Sequence, residues 1–336
     1  MSAHSTLPGQ NPGFRLLLAR FPFLPAFVIL LVLFALNGLS EPNSLSFSSV
    51  SGLVSTYLGL MFLAVAQTYV VFTGDIDLSN GTILSLVNVI VISFMDTFGG
   101  GLASVLTACF LGILSGILCG LINGIVVAGL RLQSIVATFA TSIVFTGFAL
   151  YIMPVAGTPA PEIFWNTYSE TYLGIPFVAY ILAAVILIIC ILSATRLHIQ
   201  LLAVGDGHLA AYQSGLPVTL IRIKGYMLCG FFSALAALCI SGTTASGDPL
   251  VGARMTILSI AAVVLGGTSL MGGFGTVTGS LAGALSIGLI ESFVYFVGTP
   301  SEWQTLVKGL AILVALMIGI LVSRIAGGAK DRSRHS

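Results

Sequence analysis

The stretch RLHIQLLAVGDGHLAAYQSGLPVTLIRIK, residues 196–224, interrupts a chain that is otherwise almost continuously apolar. It carries two Arg, one Lys, two His and one Asp. Its inner part, residues 203–216, predicts a short helix that is bounded by Gly207 before it and by Gly215 with Pro217 after it. A plain linker needs no bounded helix. We therefore expect this segment to be a docking surface for a partner protein.

The composition places the rest of the chain in a membrane. Hydrophobic residues make up 57% of the sequence and charged residues only 7%, whereas soluble domains carry roughly 25% charged residues. Uncharged apolar runs such as 23–39, 178–194 and 311–322 are typical of membrane-spanning helices. The alternating pattern of an outer-membrane β-barrel is absent, and a net charge of +1 gives no reason to expect nucleic-acid binding. The sequence predicts an all-α polytopic membrane protein.

Ten stretches have the length of a membrane-spanning helix. Their predicted bounds are 23–39, 50–73, 80–97, 101–129, 134–153, 176–194, 225–245, 256–271, 277–297 and 303–323. With the N-terminus inside, ten of the twelve Lys and Arg residues fall on the cytoplasmic side, as the positive-inside rule requires. This topology makes 1–22 and 324–336 cytoplasmic tails, 23–323 the transmembrane domain, and 195–224 its central cytoplasmic loop.

The two halves of the transmembrane domain carry similar motifs. Thr73-Gly74-Asp75 precedes Thr82-Ile83-Leu84-Ser85, and Ser246-Gly247-Asp248 precedes Thr256-Ile257-Leu258-Ser259 at nearly the same interval. Small-residue seams that favour close helix packing also recur, namely Gly112, Gly116 and Asn123 in the first half and Gly279 and Gly283 before Glu291 in the second. We predict two repeats, about 50–153 and 225–323. An odd number of spans separates them, so they insert with opposite orientation, as in many transporters.

Charged and glycine-rich breaks between the spans are candidates for a translocation pathway or hinge. Asp75 and Asp77 need a reason to lie near the membrane core. They either line a broken-helix site or accept backbone N–H groups at the start of the next helix. For Asp248, Pro249 favours such a cap, as a first helical residue. The full set of candidates is Gly74, Asp75, Asp77, Asn80, Asp248, Gly266, Gly267, Gly272 and Gly273.

Other residue types carry little recognisable chemistry. The glycine-dense stretch 266–275 lacks a following Lys-Ser/Thr, and no GxxxxGK[ST] motif occurs, so we expect no nucleotide site or other cofactor on this chain. The five cysteines have no metal-ligand spacing, and no catalytic constellation is present. Glu291 is the one glutamate deep in a predicted span. It is either a proton relay or a hydrogen-bonded contact between helices.

Six motifs resemble, in order and spacing, the ribose/xylose/arabinose/galactoside-type permeases of bacterial ABC importers. The resemblance covers roughly residues 25–325. The motifs are FTGDIDLSNG, GLINGIVVAGLRLQSIVATFAT, AVGDGHLAAYQSGL, SGDPLVGA, AAVVLGGTSLMGGFGTVTGSLAGALSIG and EWQTLVKGLAILVAL.

The resemblance implies a dimeric permease in the bacterial inner membrane. Its partners would be a separate ABC ATPase subunit that binds the ATP, a periplasmic sugar-binding protein, and a second permease copy or a paralogous permease, all among membrane lipids. The helix that contacts the ATPase corresponds to about 205–215, which gives the coupling candidates Gly205, His208, Leu209, Ala210, Ala211 and Gly215. ATP-driven closure of the ATPase would move this loop and rock the two halves.

The chain departs from the family pattern at three places. Where a Gly-Gly-Asn-Pro-Glu-Ala-Ala-like run is usual, this chain has Gly205-Asp206-Gly207-His208-Leu209-Ala210-Ala211. It has Gly74-Asp75 where two glycines are common, and Asn80 where Val is frequent. These departures favour a dedicated ATPase partner and one subunit of a heterodimeric pore. The solute is left open among pentoses, hexoses, polyols and autoinducer-2.

Two other kinds of transporter stay under consideration. A proton-coupled carrier would need no partner and would lose transport on Glu291→Gln. A branched-chain amino-acid ABC permease shares the broad architecture, although the GDIDLS motif favours sugars. None of these alternatives makes the chain an enzyme.

Overall fold

The computed structural model describes residues 23–327, with side chains described as far as residue 317. The predicted tail 1–22 lies outside this range. The described chain is helical apart from short turns and two small two-stranded pairings. Its helices are α1 Leu24–Ser40, α2 Phe47–Val71, α3 Asn80–Thr97, α4 Leu102–Gly124 with a π-helical turn Ile125–Gly129, α5 Ser134–Ile152, α6 Glu162–Ser169, α7 Phe177–Ala194, α8 Arg196–Asp206, α9 His208–Gln213, α10 Val218–Thr244, α11 Met255–Leu265, α12 Val277–Phe296 and α13 Ser301–Gly327.

Seven helices in the described chain are long and apolar enough to cross a membrane: α2, α3, α4 with its π-helical turn, α5, α7, α10 and α12. Helices α1 and α11 are apolar but shorter. Each of the ten predicted spans coincides with a helix, but the prediction that all ten cross the membrane is not confirmed. The protein is an all-α polytopic membrane protein.

Three predicted boundaries are wrong for identifiable reasons. Helix α10 begins at Val218 rather than 225, directly after Pro217, and it can include Arg222 because this residue is paired with Asp75. Helix α11 ends at Leu265 rather than 271, because Gly266 and Gly267 open a turn. Helix α13 continues to Gly327, so residues 324–327 of the predicted tail are helical.

Helices α2 and α10 form the centre of the molecule. All residues from Leu58 to Val71 are buried, as expected of a helix that is surrounded on every side. Helices α2 and α10 pack against each other, and α10 also packs on α3 and α4 while α2 packs on α11 and α12. By contrast, α7 lies at the periphery and exposes large apolar side chains such as Leu187 and Ile191.

The helix contacts have a two-fold pattern. If α2, α3, α4 and α5 are exchanged with α10, α11, α12 and α13, each contact between α3 and α4, α3 and α5, or α4 and α5 has a counterpart in the other half. Two hydrogen bonds also link the two halves in opposite directions: Gly81 N donates to Thr256 Oγ1 at 3.1 Å, and Gly252 N donates to Ser85 Oγ at 2.9 Å. The helices related in this way fall in the two stretches predicted as repeats, and their opposite insertion in the membrane stays a prediction.

The loop between α5 and α7 is tied to the second half of the chain. Strand β1 (Thr158–Pro159) pairs antiparallel with β4 (Ser246–Gly247), and β2 (Thr171–Tyr172) pairs with β3 (Ile175–Pro176). The first pairing fixes the loop between α5 and α7 against the end of α10.

Candidate functional site

The first helix break lies between α2 and α3. Gly74 has φ +80°, a backbone conformation that favours glycine. Beyond it Asp77 is fully buried, and its Oδ1 accepts hydrogen bonds from the backbone N–H and the hydroxyl of Ser79, both at 2.7 Å. Asn123 on α4 donates to Ser79 Oγ at 2.6 Å. Asp77 therefore stabilises the turn that starts α3, which fits the capping role among the two predicted for it.

Asp75 has a different partner, which the sequence did not indicate. Arg222 in the first turns of α10 donates from Nε to Oδ2 at 2.9 Å and from Nη2 to Oδ1 at 2.8 Å. Such a two-point contact between guanidinium and carboxylate is a strong, directional interaction. The two residues are 147 positions apart, and no local spacing links them. The pair connects the first helix break to the first turns of α10.

The polar segment is more ordered than expected. Instead of one short helix in a loop, it forms α8 and α9, which meet at Gly207 in extended backbone. His208 at the start of α9 lies with Nε2 2.9 Å from the carbonyl oxygen of Thr73. On α8, burial lowers the pKa of His198, whose ring packs edge-on against Phe72 at 5.3 Å. This segment therefore packs directly against the residues that follow α2.

Three chain segments meet at glycines below the first break. A Cβ on Gly272 would lie 2.7 Å from Gly74 N and 3.0 Å from Gly205 Cα. Gly273 N donates to the carbonyl oxygen of Phe72 at 3.1 Å, and Gly205 lies against the same two residues. Only glycines allow backbones to approach this closely. The turn after α2, the end of α8 and the turn after α11 are thus in direct backbone contact.

The coupling candidates separate into buried and exposed positions. Leu209 is 71% exposed, and Ala210 and Tyr212 are also exposed. Ala211 is only 5% exposed and faces the interior. Gly215 lies two residues after the end of α9, and a Cβ there would meet nothing within 4 Å. A partner protein could reach Leu209 and Ala210 but not Ala211.

The remaining pathway candidates lie elsewhere. Asp248 accepts from Leu250 N at 2.8 Å, and its own N–H donates to Asn88 Oδ1 at 2.8 Å. Helix α11 begins only at Met255, so the prediction that Pro249 is a first helical residue is wrong. Asn80 donates from Nδ2 to Ser259 Oγ at 2.9 Å, across the central crossing of α3 and α11. Asp248 therefore stabilises the turn between α10 and α11, and Asn80 stabilises the crossing of α3 and α11.

The glycines predicted to pack helices lie at close contacts with neighbouring helices, mostly with their backbones. A Cβ on Gly116 would lie 2.6 Å from the carbonyl oxygen of Gly230, and one on Gly112 would lie 2.5 Å from Val91. In the second half, Gly279 lies against Gly266 and Gly283 against the backbone of Ala262. Gly267, with φ +80°, begins the turn that follows α11.

Glu291 contacts neighbouring helices. Tyr57 on α2 donates to Glu291 Oε2 at 3.0 Å, and Lys308 Nζ on α13 lies 3.7 Å from the same oxygen. The interhelical contact is the second of the two roles predicted for Glu291. Its two partners were not anticipated, because Tyr57 and Lys308 carry no motif and lie on helices that are distant in sequence.

A groove borders the coupling segment. Its volume is about 930 Å³, and it lies between the end of α4, helix α9 and the start of α10. Arg131, His208, Tyr212 and Arg222 are among its lining residues. Arg222 is paired with Asp75, so Arg131 is the unneutralised arginine among the lining residues, and the groove adjoins the exposed side of α9.

Residues 49–316 match a family model described as the branched-chain amino acid transport system / permease component. The chain belongs to this family.

Individual relatives of this permease are named for substrates other than amino acids. It is 34% identical over 302 residues to the ribose import permease protein RbsC of Bacillus subtilis, covering 88% of this chain and 91% of that protein. It is 35% identical over 276 residues to the fructose import permease protein FrcC of Rhizobium meliloti, covering 79% and 75%. It is also 32% identical over 298 residues to the autoinducer 2 import system permease protein LsrC of Yersinia pseudotuberculosis, covering 87% and 83%. No solved structure matches the chain.

Proposed function

We propose that this permease is the membrane-spanning subunit of an ATP-driven importer that moves a sugar or sugar-like solute into the bacterial cytoplasm. A separate ABC ATPase subunit supplies the energy, and a periplasmic binding protein delivers the solute. The permease acts as a dimer with a second copy or a paralogous permease in the inner membrane, with both termini cytoplasmic.

The junction of three glycine-lined segments carries this proposal. Helix α8 contacts the turn after α2 and the turn after α11 through Gly205, Gly74 and Gly272. These turns belong to different repeats. A force on the exposed α9 would therefore reach both halves of the molecule, because closely packed segments move together. This is the connection that an ATPase-driven rocking mechanism needs.

Sugars are favoured over branched-chain amino acids as the substrate class. The family description names amino acids, but the relatives that share 32–35% identity are named for ribose, fructose and autoinducer-2. These relatives match most of the chain. Import of leucine or valine stays the second candidate because the family description supports it.

The ATPase contact is tested by Leu209→Arg. The position is 71% exposed, so a charge there alters the docking surface without disturbing packing. The permease is isolated in mild detergent and its companions are identified by mass spectrometry. An ATP-binding subunit should co-purify with the wild type and be lost with Leu209→Arg. A co-purifying paralogous permease would identify a heterodimer.

The matched control is Leu173→Arg, the same exchange at a 97% exposed position on the outer loop. It should retain the ATP-binding subunit. The reconstituted complex is then assayed with D-ribose, D-fructose and L-leucine. A chain that is isolated alone, and that transports sugar in proteoliposomes without ATP, would overturn the importer and favour a carrier.

A further inference from the structure

A second cavity of about 400 Å³ lies far from the helix breaks. It is enclosed by α1, α2, α12 and α13, near the end of α1 and the start of α2. The charge distribution assigns this end of the helices to the outside. Small-molecule sites typically have volumes of about 300–1,000 Å³, so the cavity has room for a small solute.

One wall of this cavity is charged. Glu291 and Lys308 line it, and their side chains are 27% and 28% exposed. Lys308 Nζ is 3.7 Å from Glu291 Oε2, which is longer than a hydrogen bond. The Tyr57 hydroxyl donates to the same carboxylate oxygen. A carboxylate, an ammonium group and a phenol therefore lie side by side at this cavity.

Two buried polar atoms that belong to other lining residues have no hydrogen-bond partner among the described residues. Asn37 is 2% exposed, and its Nδ2 donates to the carbonyl oxygens of Leu33 and Leu289 at 2.8 and 3.1 Å. Its Oδ1 accepts no hydrogen bond from any described group. Ser44 Oγ likewise has no hydrogen-bond partner in the described part of the chain. Both residues line the cavity. Buried polar atoms are nearly always hydrogen-bonded, so this pair points to a ligand that supplies the missing donors.

We propose that this cavity binds the transported sugar as it enters from the outside, an inference that rests on the proposed function. Each sugar hydroxyl both donates and accepts. Asn37 Oδ1 and Glu291 would accept from hydroxyls, while Lys308 and Ser44 would donate to them. A phosphate ligand would meet the Glu291 carboxylate. A free amino acid would require Glu291 and Lys308 to separate in order to bind its two charges, and it would leave Asn37 Oδ1 unpaired.

The experiment places a cysteine in the cavity through Ser292→Cys, since Ser292 lies beside Glu291 and lines the same cavity. The complete complex in proteoliposomes reacts with a membrane-impermeant maleimide, with or without D-ribose, L-arabinose, D-fructose or L-leucine. A sugar present at about three times its Kd should slow the modification about fourfold by mass action. Adding Glu291→Gln should raise about tenfold the sugar concentration that gives half-maximal protection, because a charged hydrogen-bond acceptor is lost.

The control is Glu170→Cys, which lies on the outer loop away from the cavity and should react at the same rate with or without sugar. The protein without an added cysteine gives the background from native thiols. Protection by none of the three sugars, or by L-leucine alone, would overturn the cavity proposal. ATP-dependent sugar uptake is measured on the same vesicles. Uptake without protection would contradict the proposed sugar site in the cavity and would leave the proposed importer function unaffected.

Discussion

At the scale of single residues, the carboxylate of Asp75 is held at two points by the guanidinium of Arg222. The side chains are only 6% and 15% exposed. Removal of one partner leaves the other charge buried and poorly solvated, which costs far more than the loss of a surface ion pair. The two residues therefore depend on each other for their burial.

We expect Asp75→Asn and Arg222→Gln each to lower the free energy of unfolding by about 1.5–3 kcal/mol, the range for hydrogen bonds to charged groups. Because both changes disrupt one contact, the double variant should lose less than the sum of the two single losses, with a coupling of at least about 1 kcal/mol. Unfolding by SDS in mixed micelles measures all four proteins. Additive losses would show that the pair contributes no mutual stabilisation.

At the scale of the helix, Gly205 decides how closely α8 approaches the two turns. A Cβ there would meet the carbonyl oxygen of Phe72 and lie 2.5 Å from Gly273 N. Both obstacles are backbone atoms, which cannot rotate away as a flexible side chain would. Overpacking of this kind typically costs about 1–3 kcal/mol.

Gly205→Ala should therefore lower the melting temperature of the isolated permease and reduce the yield of co-purified ATP-binding subunit. Gly147→Ala is the matched control, because this glycine also lies within a helix and a Cβ there meets nothing within 4 Å. The control should be as stable as the wild type or more so, since Ala favours a helix over Gly by about 1 kcal/mol. Equal melting temperatures for Gly205→Ala and the wild type would contradict the tight junction.

The positions of the helices could be predicted from the sequence, because uninterrupted apolar runs have few other structures open to them in a membrane. The helix ends were harder. The charged residues up to Lys224 predict a loop, yet Arg222 lies inside α10 because Asp75 neutralises it. The apolar run after Met255 was extended through Gly266, where the backbone turns.

The glycines and aspartates of the site could be selected from the sequence, but their partners could not. Motif comparison finds unusual residues one segment at a time. The contacts of Glu291 with Tyr57, and of Gly205 with Gly273, depend on how distant helices pack. Whether a candidate is accessible is also a property of the fold, as the burial of Ala211 beside the exposed Leu209 shows.

For the molecule as a whole, the proposed mechanism depends on which side of the membrane each surface faces. Arg131, Arg196 and Arg222 lie at one end of the helices, and Glu162 and Glu170 lie on the loop between α5 and α7 at the other. This asymmetry predicts that α9 faces the cytoplasm.

A membrane-impermeant maleimide tests this orientation with two single changes at exposed positions, Glu170→Cys and Ser214→Cys. In sealed spheroplasts Glu170→Cys should be labelled, because its loop is expected to face outward. Ser214→Cys, which follows α9, should be labelled only after the membrane is opened, and the unmodified protein again gives the background. Labelling of Ser214→Cys in sealed spheroplasts would place α9 on the side without ATP. An ATPase could not then dock there, so the same result would remove the proposed coupling surface along with the topology.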